Sequence, residues 1–248
     1  MIRAFPAGGF RYIPGPFQYS AGVAAEPGFA IERVRFHSPV PLAEGFARIE
    51  RHIGASGRPM TAFCACELRS PAPFTDQGFR DFNRVYVGTL ERWGLFKDEQ
   101  NPVARSNVCP EIAPPKEPSF HAFCFTRPSD DKAPSFVIAG SGEAREGGAT
   151  YRERTVRWGE TSPDAMAEKA RHVHGEMERR MGLLGVAWKD CTATQVYTVH
   201  DLHPFFAEDI VKRGAAPAGL TWYFNRPPVV GLEYEVDCRG VRVERVID

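Results

Sequence analysis

One order of predicted elements occurs twice in this 248-residue chain, and this internal repeat constrains the fold more than any single motif. Hydrophobic periodicity gives each half the order strand, strand, helix, strand, helix, strand, strand. The segments CPEIAPPKEPSFHAF and FNRPPVVGLEYEVD occupy equivalent places near the ends of the two halves. A repeat on this scale indicates two units of like fold. Such alternation gives a mixed sheet with helices packed on one face, an α+β domain.

The boundary between the two units is expected near residue 130. Residues 127–134, RPSDDKAP, are polar, charged and flanked by prolines, as is typical of a linker. The sequence therefore predicts an N-terminal domain over residues 1–129 and a C-terminal domain over residues 134–248.

Individual helices and strands are predicted from spacing and from end signals. Apolar residues at spacings of three and four, with capping residues and glycines at the ends, predict helices over residues 42–57, 75–94, 162–184 and 202–212. Alternating or short apolar runs bounded by Pro and Gly predict strands. The predicted strands cover residues 29–37, 60–68, 135–144, 151–158, 188–199, 220–225 and 232–246, with two more inside residues 101–126.

Composition excludes several classes of partner. The formal net charge is zero, whereas proteins that bind nucleic acid or membrane surfaces usually carry a basic face. No apolar run approaches the roughly 20 residues of a membrane-spanning helix, and no secretory signal is visible at the start. The six cysteines form no CxxC pair and the histidines show no zinc-binding spacing, so free thiols in a reducing cytoplasm are expected.

Arg105 is the residue whose surroundings most suggest a ligand. It enters a predicted strand among apolar neighbours, where an unpaired charge is costly and needs a partner. The planar guanidinium presents a fork of donors that suits two-point contact with a carboxylate. The partner is either an Asp or Glu of the protein or the carboxylate of a small ligand.

Short motifs in both halves carry a family resemblance. Phe82, Asn83 and Tyr86 lie on the second predicted helix, a Pro-x-Ala-Arg-Ser run leads into the strand of Arg105, and a Pro-Pro turn precedes the closing strand. With the order of elements, these motifs resemble the RidA family, also called YjgF/YER057c/UK114. The resemblance implies two tandem chorismate-mutase-like (RidA/YjgF) domains, each a mixed β-sheet with two helices packed on one face.

The resemblance also implies an activity and an assembly. RidA-like proteins form trimers with clefts between domains, and they hydrolyse enamines and imines to a keto acid and ammonia without a metal or cofactor. Some relatives deaminate 2-aminomuconate in aromatic degradation. For this chain the resemblance implies a cofactor-independent cytoplasmic deaminase of a small carboxylate, assembled as a homo-oligomer, a trimer of two-domain chains.

Substrate-binding roles carried over from the family fall mainly in the first half. Arg105 matches the arginine that grips the substrate carboxylate, and Ser106 and Asn107 stand beside it. Asn83 matches the asparagine on the second helix.

The acid–base role is divided between the halves. The family has a glutamate that positions water, and its place in the first half falls at His121 or a neighbour. In the second half Glu233 or Glu235 matches it, but no arginine stands in the matching place. A carboxylate or a histidine can activate water and pass a proton to the leaving nitrogen. One hypothesis is a composite site in which Arg105 and one of these glutamates meet. The alternative is that one half has become a scaffold and the glutamates are solvated strand residues.

Two further features are weaker candidates for substrate binding. The turn that contains Ser141, Gly142 and Glu143 lies where the family has a Ser-Gly pair near the pocket, and its backbone donors could bind a second carboxylate or a carbonyl oxygen. As a plain hairpin turn it needs no function. Trp222 could stack on a ring-derived substrate, or it belongs to the core or a subunit interface.

Two other functions remain open from the sequence alone. One is a non-catalytic protein that holds a small carboxylate with Arg105, and the other is a chorismatase-like enzyme, because chorismatases are distant two-domain relatives of the family. The absence of a complete residue set in either half favours the binding protein over a standard RidA-like enzyme.

Overall fold

A computed structural model of the chain describes residues 2–145, 147 and 150–248. The strands are β1 (Arg3–Phe5), β2 (Phe10–Ile13), β3 (Gly22–Ala25), β4 (Phe29–Pro41), β5 (Phe63–Arg69), β6 (Ala104–Pro110), β7 (Ser119–Pro128), β8 (Phe136–Gly142), β9 (Ala193–Tyr197), β10 (Leu220–Tyr223), β11 (Asn225–Arg226), β12 (Glu235–Gly240) and β13 (Val243–Ile247). The helices are α1 (Leu42–Ala55), α2 (Asp76–Arg92), α3 (Tyr151–Arg154), α4 (Pro163–Leu184) and α5 (His203–Phe205), which continues as a π-helix (Phe206–Val211).

The strands form two mixed sheets. One has seven strands in the order β1-β2-β3-β8-β12-β9-β10, and the other has six in the order β11-β6-β5-β7-β4-β13. The same four-strand arrangement occurs in both, as β4-β7-β5-β6 and as β8-β12-β9-β10. In each arrangement the first two pairings are antiparallel and the third is parallel.

Helices cover the outer face of each sheet. On the six-stranded sheet, Ile49 of α1 and Leu90 of α2 share an apolar core with Phe120 and Phe123 of β7. On the seven-stranded sheet, α4 supplies much of a second core, which includes Val173. Periodic apolar residues on these helices explain why they cover the sheets, because each helix must bury its apolar stripe.

The inner faces of the two sheets meet each other through polar side chains. Ser106 of β6 donates a hydrogen bond of 2.5 Å to Asp237 of β12. Gln195 of β9 donates one of 3.3 Å to Glu67 of β5. The molecule is therefore layered helix, sheet, sheet, helix, with a polar seam between the sheets.

The expected fold of two tandem RidA-like domains was wrong. Each sheet draws strands from both halves of the chain: β1, β2 and β3 extend the sheet of the second half, while β11 and β13 extend the sheet of the first. In two tandem domains each half would form its own sheet, whereas here each sheet also contains strands from the other half. How the chain divides into folding units stays a prediction.

Most of the predicted elements lie near their expected positions, with one clear exception. Thr75 caps α2 by accepting a hydrogen bond from the amide of Gly78, as the capping signal predicts. The strand predicted over residues 151–158 was wrong, because its first four residues form α3. The amide of Glu153 donates to the Thr150 hydroxyl, and the Thr150 amide donates to the Glu153 carboxylate. This capping box starts a helical turn where the side-chain alternation indicated a strand.

In the described part of the chain, we find no helix with the length and apolar character that crossing a membrane requires.

Candidate active site

A cavity of about 370 Å³ lies where the two sheets, α2, α3 and α4 come together. Its volume lies in the range of small-molecule sites. Five residues proposed from the sequence line it, namely Arg105, Asn107, Ser141, Gly142 and Glu235. They come from β6, β8 and β12, so both halves of the chain contribute to one cavity.

Arg105 is buried in an aromatic cage, and no ion pair of its guanidinium is found within the described residues. Its side chain is 3% exposed. The guanidinium carbon lies 4.8 Å from the centre of the Tyr86 ring and 5.6 Å from that of the Tyr19 ring. Its Nε and Nη1 atoms have no hydrogen-bond partner among the described residues. Aromatic faces stabilise a cation only in part, and so the unpaired donors leave this charge ready for an anionic ligand.

Asn107 supplies a second unpaired donor beside the same cavity. Its Oδ1 accepts a hydrogen bond of 2.9 Å from the Ser70 hydroxyl, which fixes the orientation of the amide. The buried Nδ2 has no partner in the described part of the chain. Arg105 and Asn107 are two residues apart on β6, so their side chains lie on the same face of the strand. Together they offer the donors that a carboxylate requires.

Glu235 brings a carboxyl group with a raised pKa to the cavity. It is 4% exposed. Burial raises its pKa well above the ordinary value, and the neighbouring carboxyl groups of Asp237 and Glu143 raise it further, against the opposing charge of Arg105. No hydrogen bond or ion pair of this carboxyl group is found within the described ranges. This direction of the pKa shift favours the protonated form of Glu235, the form that can donate a proton.

Gly140 of β8 makes room for that carboxyl group. A Cβ atom at this position would overlap Oε1 of Glu235, and it would lie 3.1 Å from both the Glu235 Cδ and the Ser106 Oγ. A side chain larger than hydrogen is therefore incompatible with the observed position of Glu235.

Behind the cavity, Asp237 is the centre of a hydrogen-bond network. It accepts from the Ser106 hydroxyl, from Gln195 Nε2 at 2.8 Å and from the Tyr197 hydroxyl at 2.8 Å. Burial raises the pKa of Asp237, and the charge of Glu67 adds to this effect, while the Ser106 and Gln195 donors oppose it. Glu235 and Asp237 thus form a buried carboxyl pair, in which two negative charges are strongly disfavoured.

Nearby, Glu67 is neutralised by an arginine. Burial alone would raise its pKa, but the Arg33 guanidinium contacts both carboxylate oxygens, at 2.6 and 3.0 Å, and holds the pKa of Glu67 well below the ordinary value. Glu67 therefore remains a carboxylate.

Other residues proposed from the sequence do not line the cavity. Glu233 pairs with His200, with 2.8 Å between Oε2 and Nε2. His121 lies against Glu67 and Tyr223, and burial, aided by the charge of Arg69, lowers its pKa to about 3.

Four proposed residues have structural contacts instead. Asn83 donates to the Phe79 carbonyl within α2 at 2.6 Å. Ser106 contacts Asp237 in the seam, and Trp222 donates to the Thr198 carbonyl near the surface. Glu143 is fully buried in an ion pair with Lys169 of 3.2 Å and accepts the amides of residues 233 and 234.

Sequence reasoning missed several residues that line the cavity. Arg154 and Arg180 come from α3 and α4, and Tyr19 and Tyr151 add aromatic surface. Arg180 donates to Glu176, to the Ala139 carbonyl and to the Ser141 hydroxyl. Their place beside the cavity depends on helix packing between the two halves. The sequence carries a signal for α4 itself, but none for which of its residues reach the cavity.

The described residues contain no group of three or more His, Cys, Asp or Glu side chains arranged to hold a metal ion.

Comparison with known proteins identifies the family. The family model described as 2-aminomuconate deaminase CnbZ matches residues 2–245. The chain belongs to this family. A 2-amino-5-chloromuconate deaminase of Comamonas testosteroni is 55% identical over 245 residues, which are 98% of either chain. The resemblance to the RidA family was therefore wrong, because the short motifs that suggested it occur in a chain of the CnbZ deaminase family.

Among solved structures, a cyanuric acid hydrolase is similar to this chain at 12% sequence identity, with a TM-score of 0.42. The match covers 85% of this chain and 67% of the hydrolase.

Proposed function

We propose that this protein hydrolyses 2-aminomuconate, or a chlorinated 2-aminomuconate, to the corresponding oxo acid and ammonia in the breakdown of aromatic compounds. The observation that carries the proposal is that one cavity brings together unpaired donors on Arg105 and Asn107 and the buried carboxyl group of Glu235, whose pKa is raised. Membership of the CnbZ family and the printed activity of the Comamonas relative support this substrate class.

Substrate binding begins with the carboxylate next to the amino-bearing carbon. Arg105 and Asn107 present donors to that carboxylate in a site shielded from water, where charge-assisted hydrogen bonds are strong. The rings of Tyr19 and Phe79 line the same cavity and suit an unsaturated carbon chain. Binding in this orientation brings the amino-bearing carbon and its neighbour to the carboxyl group of Glu235.

Glu235 then transfers protons in both directions. It donates its proton to the chain carbon next to the amino-bearing carbon, which turns the enamine into an iminium ion. The resulting carboxylate accepts a proton from water as the oxygen adds to the iminium carbon. Glu235 next protonates the nitrogen and ammonia leaves, while the new hydroxyl returns its proton and becomes the carbonyl. The net change is enamine plus water to ketone plus ammonia, with Glu235 again protonated.

Ammonia release from 2-aminomuconate tests the proposal directly. Glu235→Gln keeps the size of the side chain but cannot transfer the proton, so we expect kcat to fall by about 10²- to 10⁴-fold. Arg105→Met removes the charged donors, and we expect kcat/KM to fall by about 10- to 100-fold. Glu233→Gln is the matched control, because its carboxylate pairs with His200 away from the cavity. Equal losses in Glu235→Gln and Glu233→Gln would contradict the proposed role of Glu235.

A second substrate separates this function from general imine hydrolysis. 2-Iminobutyrate, generated in place by an amino-acid oxidase, carries one carboxylate and a short chain. We expect turnover of 2-aminomuconate to exceed that of 2-iminobutyrate. If the protein hydrolyses only 2-iminobutyrate, the proposed substrate class is wrong. If it releases ammonia from neither compound, the proposed function is excluded.

A further inference from the structure

The cavity contains more positive charge than one carboxylate can neutralise. Three arginines line it: Arg105, Arg154 and Arg180. Arg180 is neutralised by Glu176, with 2.7 Å between Nε and Oε1. No Asp or Glu lies within ion-pair distance of Arg105 or Arg154 among the described residues, although arginines of the same half such as Arg157 do have acidic partners. Among the described residues, the cavity therefore has two arginines without an acidic partner.

The two unpaired arginines lie at different depths. Arg105 is deep, on β6 and inside its aromatic cage. Arg154 is partly exposed on α3, where its guanidinium stacks 3.9 Å from the centre of the Tyr151 ring and donates 3.3 Å to the Arg145 carbonyl. These contacts orient the guanidinium, and neither of them is with an acidic group.

The wall near these two charges is partly apolar, and α3 is anchored to it. Tyr151 packs with Phe79 and Leu232 in a small apolar cluster that also lines the cavity. The Tyr151 amide donates 3.3 Å to the carboxylate of Asp76, at the start of α2. A ligand with an anionic group at each end and hydrocarbon between them matches this order of cation, apolar wall and cation.

We propose that Arg154 forms a second carboxylate subsite, which binds the distal carboxylate of the substrate and makes the cavity selective for linear unsaturated dicarboxylates. The inference rests on the proposed function, since it places the reacting end of the substrate at Arg105 and Glu235. Arg154 is a binding residue in this scheme and takes no part in proton transfer.

Two non-reacting probes isolate the subsite from turnover. Muconate is a six-carbon diene with a carboxylate at each end, and sorbate is the same diene with a methyl group in place of one carboxylate. Neither carries an amino group, so calorimetric titration measures binding alone. We expect the unchanged protein to bind muconate at least about 10-fold more tightly than sorbate, because only muconate pairs with both cations.

Variants on α3 then assign the effect to one residue. We expect Arg154→Met to weaken muconate binding by about 10- to 100-fold and to leave sorbate binding unchanged. Arg154→Lys should restore part of the affinity, because it keeps the charge but loses the two-point geometry. Arg152→Met is the matched control: it removes an equal charge from an exposed position on the same helix that does not line the cavity.

Several outcomes would overturn the subsite. Equal affinity of the unchanged protein for both probes, or binding of neither, excludes a second carboxylate contact. Equal losses of muconate affinity in Arg154→Met and Arg152→Met would mean that these arginines act only through the overall positive charge of the protein. An equal loss of sorbate affinity in Arg154→Met would mean that the substitution disturbs packing. The proposed function is tested separately. If the protein binds muconate through Arg154 but releases no ammonia from 2-aminomuconate, the subsite is supported and the proposed reaction is excluded.

Discussion

Glu235 is a carboxyl group whose protonated form the fold favours, at a cost in stability at alkaline pH. Its pKa is raised in the folded protein by burial and by the neighbouring Asp237 carboxyl group. When a carboxyl group has a higher pKa in the folded protein than in the unfolded chain, the free energy of unfolding is highest below the pKa of the unfolded chain. It falls as the pH rises toward the pKa of the folded protein. Each unit of difference between the pKa in the folded protein and that in the unfolded chain changes the free energy of unfolding by about 1.4 kcal/mol.

Glu235→Gln should therefore stabilise the protein at alkaline pH. Glutamine has nearly the same shape and needs no proton, so the variant should match the unchanged protein near pH 4 and exceed it in free energy of unfolding at pH 8. Urea unfolding at a series of pH values measures the difference. Glu233→Gln, which removes an ion pair with His200, should show no such gain. A pH-independent difference for Glu235→Gln would mean that Glu235 titrates normally.

The rate should depend on the same proton. Because the first step needs the protonated form of Glu235, kcat should fall as the pH rises through its raised pKa. Asp237→Asn removes the like-charge repulsion, so the pKa of Glu235 should decrease and the alkaline limb should move to lower pH. A pH–rate profile of both proteins measures the displacement. An unmoved limb would exclude coupling between these two carboxyl groups.

At the scale of elements, β8 and β12 must approach closely for the site to exist. Gly140 of β8 leaves the space that the Glu235 carboxyl group occupies. Gly140→Ala should displace this group and lower kcat by about 10-fold or more, since small displacements of catalytic groups are costly. Gly182→Ala on α4 is the control, because a Cβ there meets no atom within 4 Å and should raise stability slightly. Full activity of Gly140→Ala would mean that Glu235 does not act from its observed position.

A buried ion pair joins α4 to β8 and β12. Lys169 and Glu143 are both fully buried, Lys169 also donates 2.8 Å to the Val156 carbonyl, and Glu143 accepts two backbone amides before β12. Lys169→Met should lower the free energy of unfolding by about 3–5 kcal/mol, because it leaves a buried carboxylate unpaired.

The double variant Lys169→Met, Glu143→Gln separates the lost pair from lost packing. We expect it to be less destabilised than the sum of the two single variants, as measured by urea unfolding. Strict additivity of the two losses would mean that the two charges do not depend on each other.

At the scale of the whole molecule, the exchange of strands makes the two halves interdependent. A fragment over residues 1–129 lacks β8, the partner of β3, and β13, the partner of β4. We expect fragments 1–129 and 134–248 to be unfolded when made separately and to form the native fold when made together. Circular dichroism and amide exchange on each fragment measure this. A fragment that unfolds cooperatively alone would establish independent domains at this boundary.

Local signals in the sequence predict elements well and long-range pairing poorly. Apolar spacing and capping residues are sufficient to locate α1, α2 and α4, since these features act within a few residues. The alternation over residues 151–158 was misleading because the Thr150–Glu153 capping box is a stronger local signal.

The site could be predicted only in part for the same reason. Arg105 was accessible because a charge in an apolar strand is visible in the sequence, and Asn107 was named only for its place beside Arg105. The choice between Glu233 and Glu235 was not, because Glu233 precedes β12 and its contact with His200 depends on long-range packing. Arg154 was missed because α3 reaches the cavity only after the two halves have packed.

The last strand of the described chain has its partner among the first four. β13 lies parallel to β4 at the edge of the six-stranded sheet, although almost the whole chain separates them. During synthesis this edge of β4 therefore stays without its neighbour until β13 has been made. Sheets completed by such distant segments form slowly, and their open edges attract other chains in the meantime. Production of this protein should therefore depend on chaperone supply more than on the stability of the finished fold.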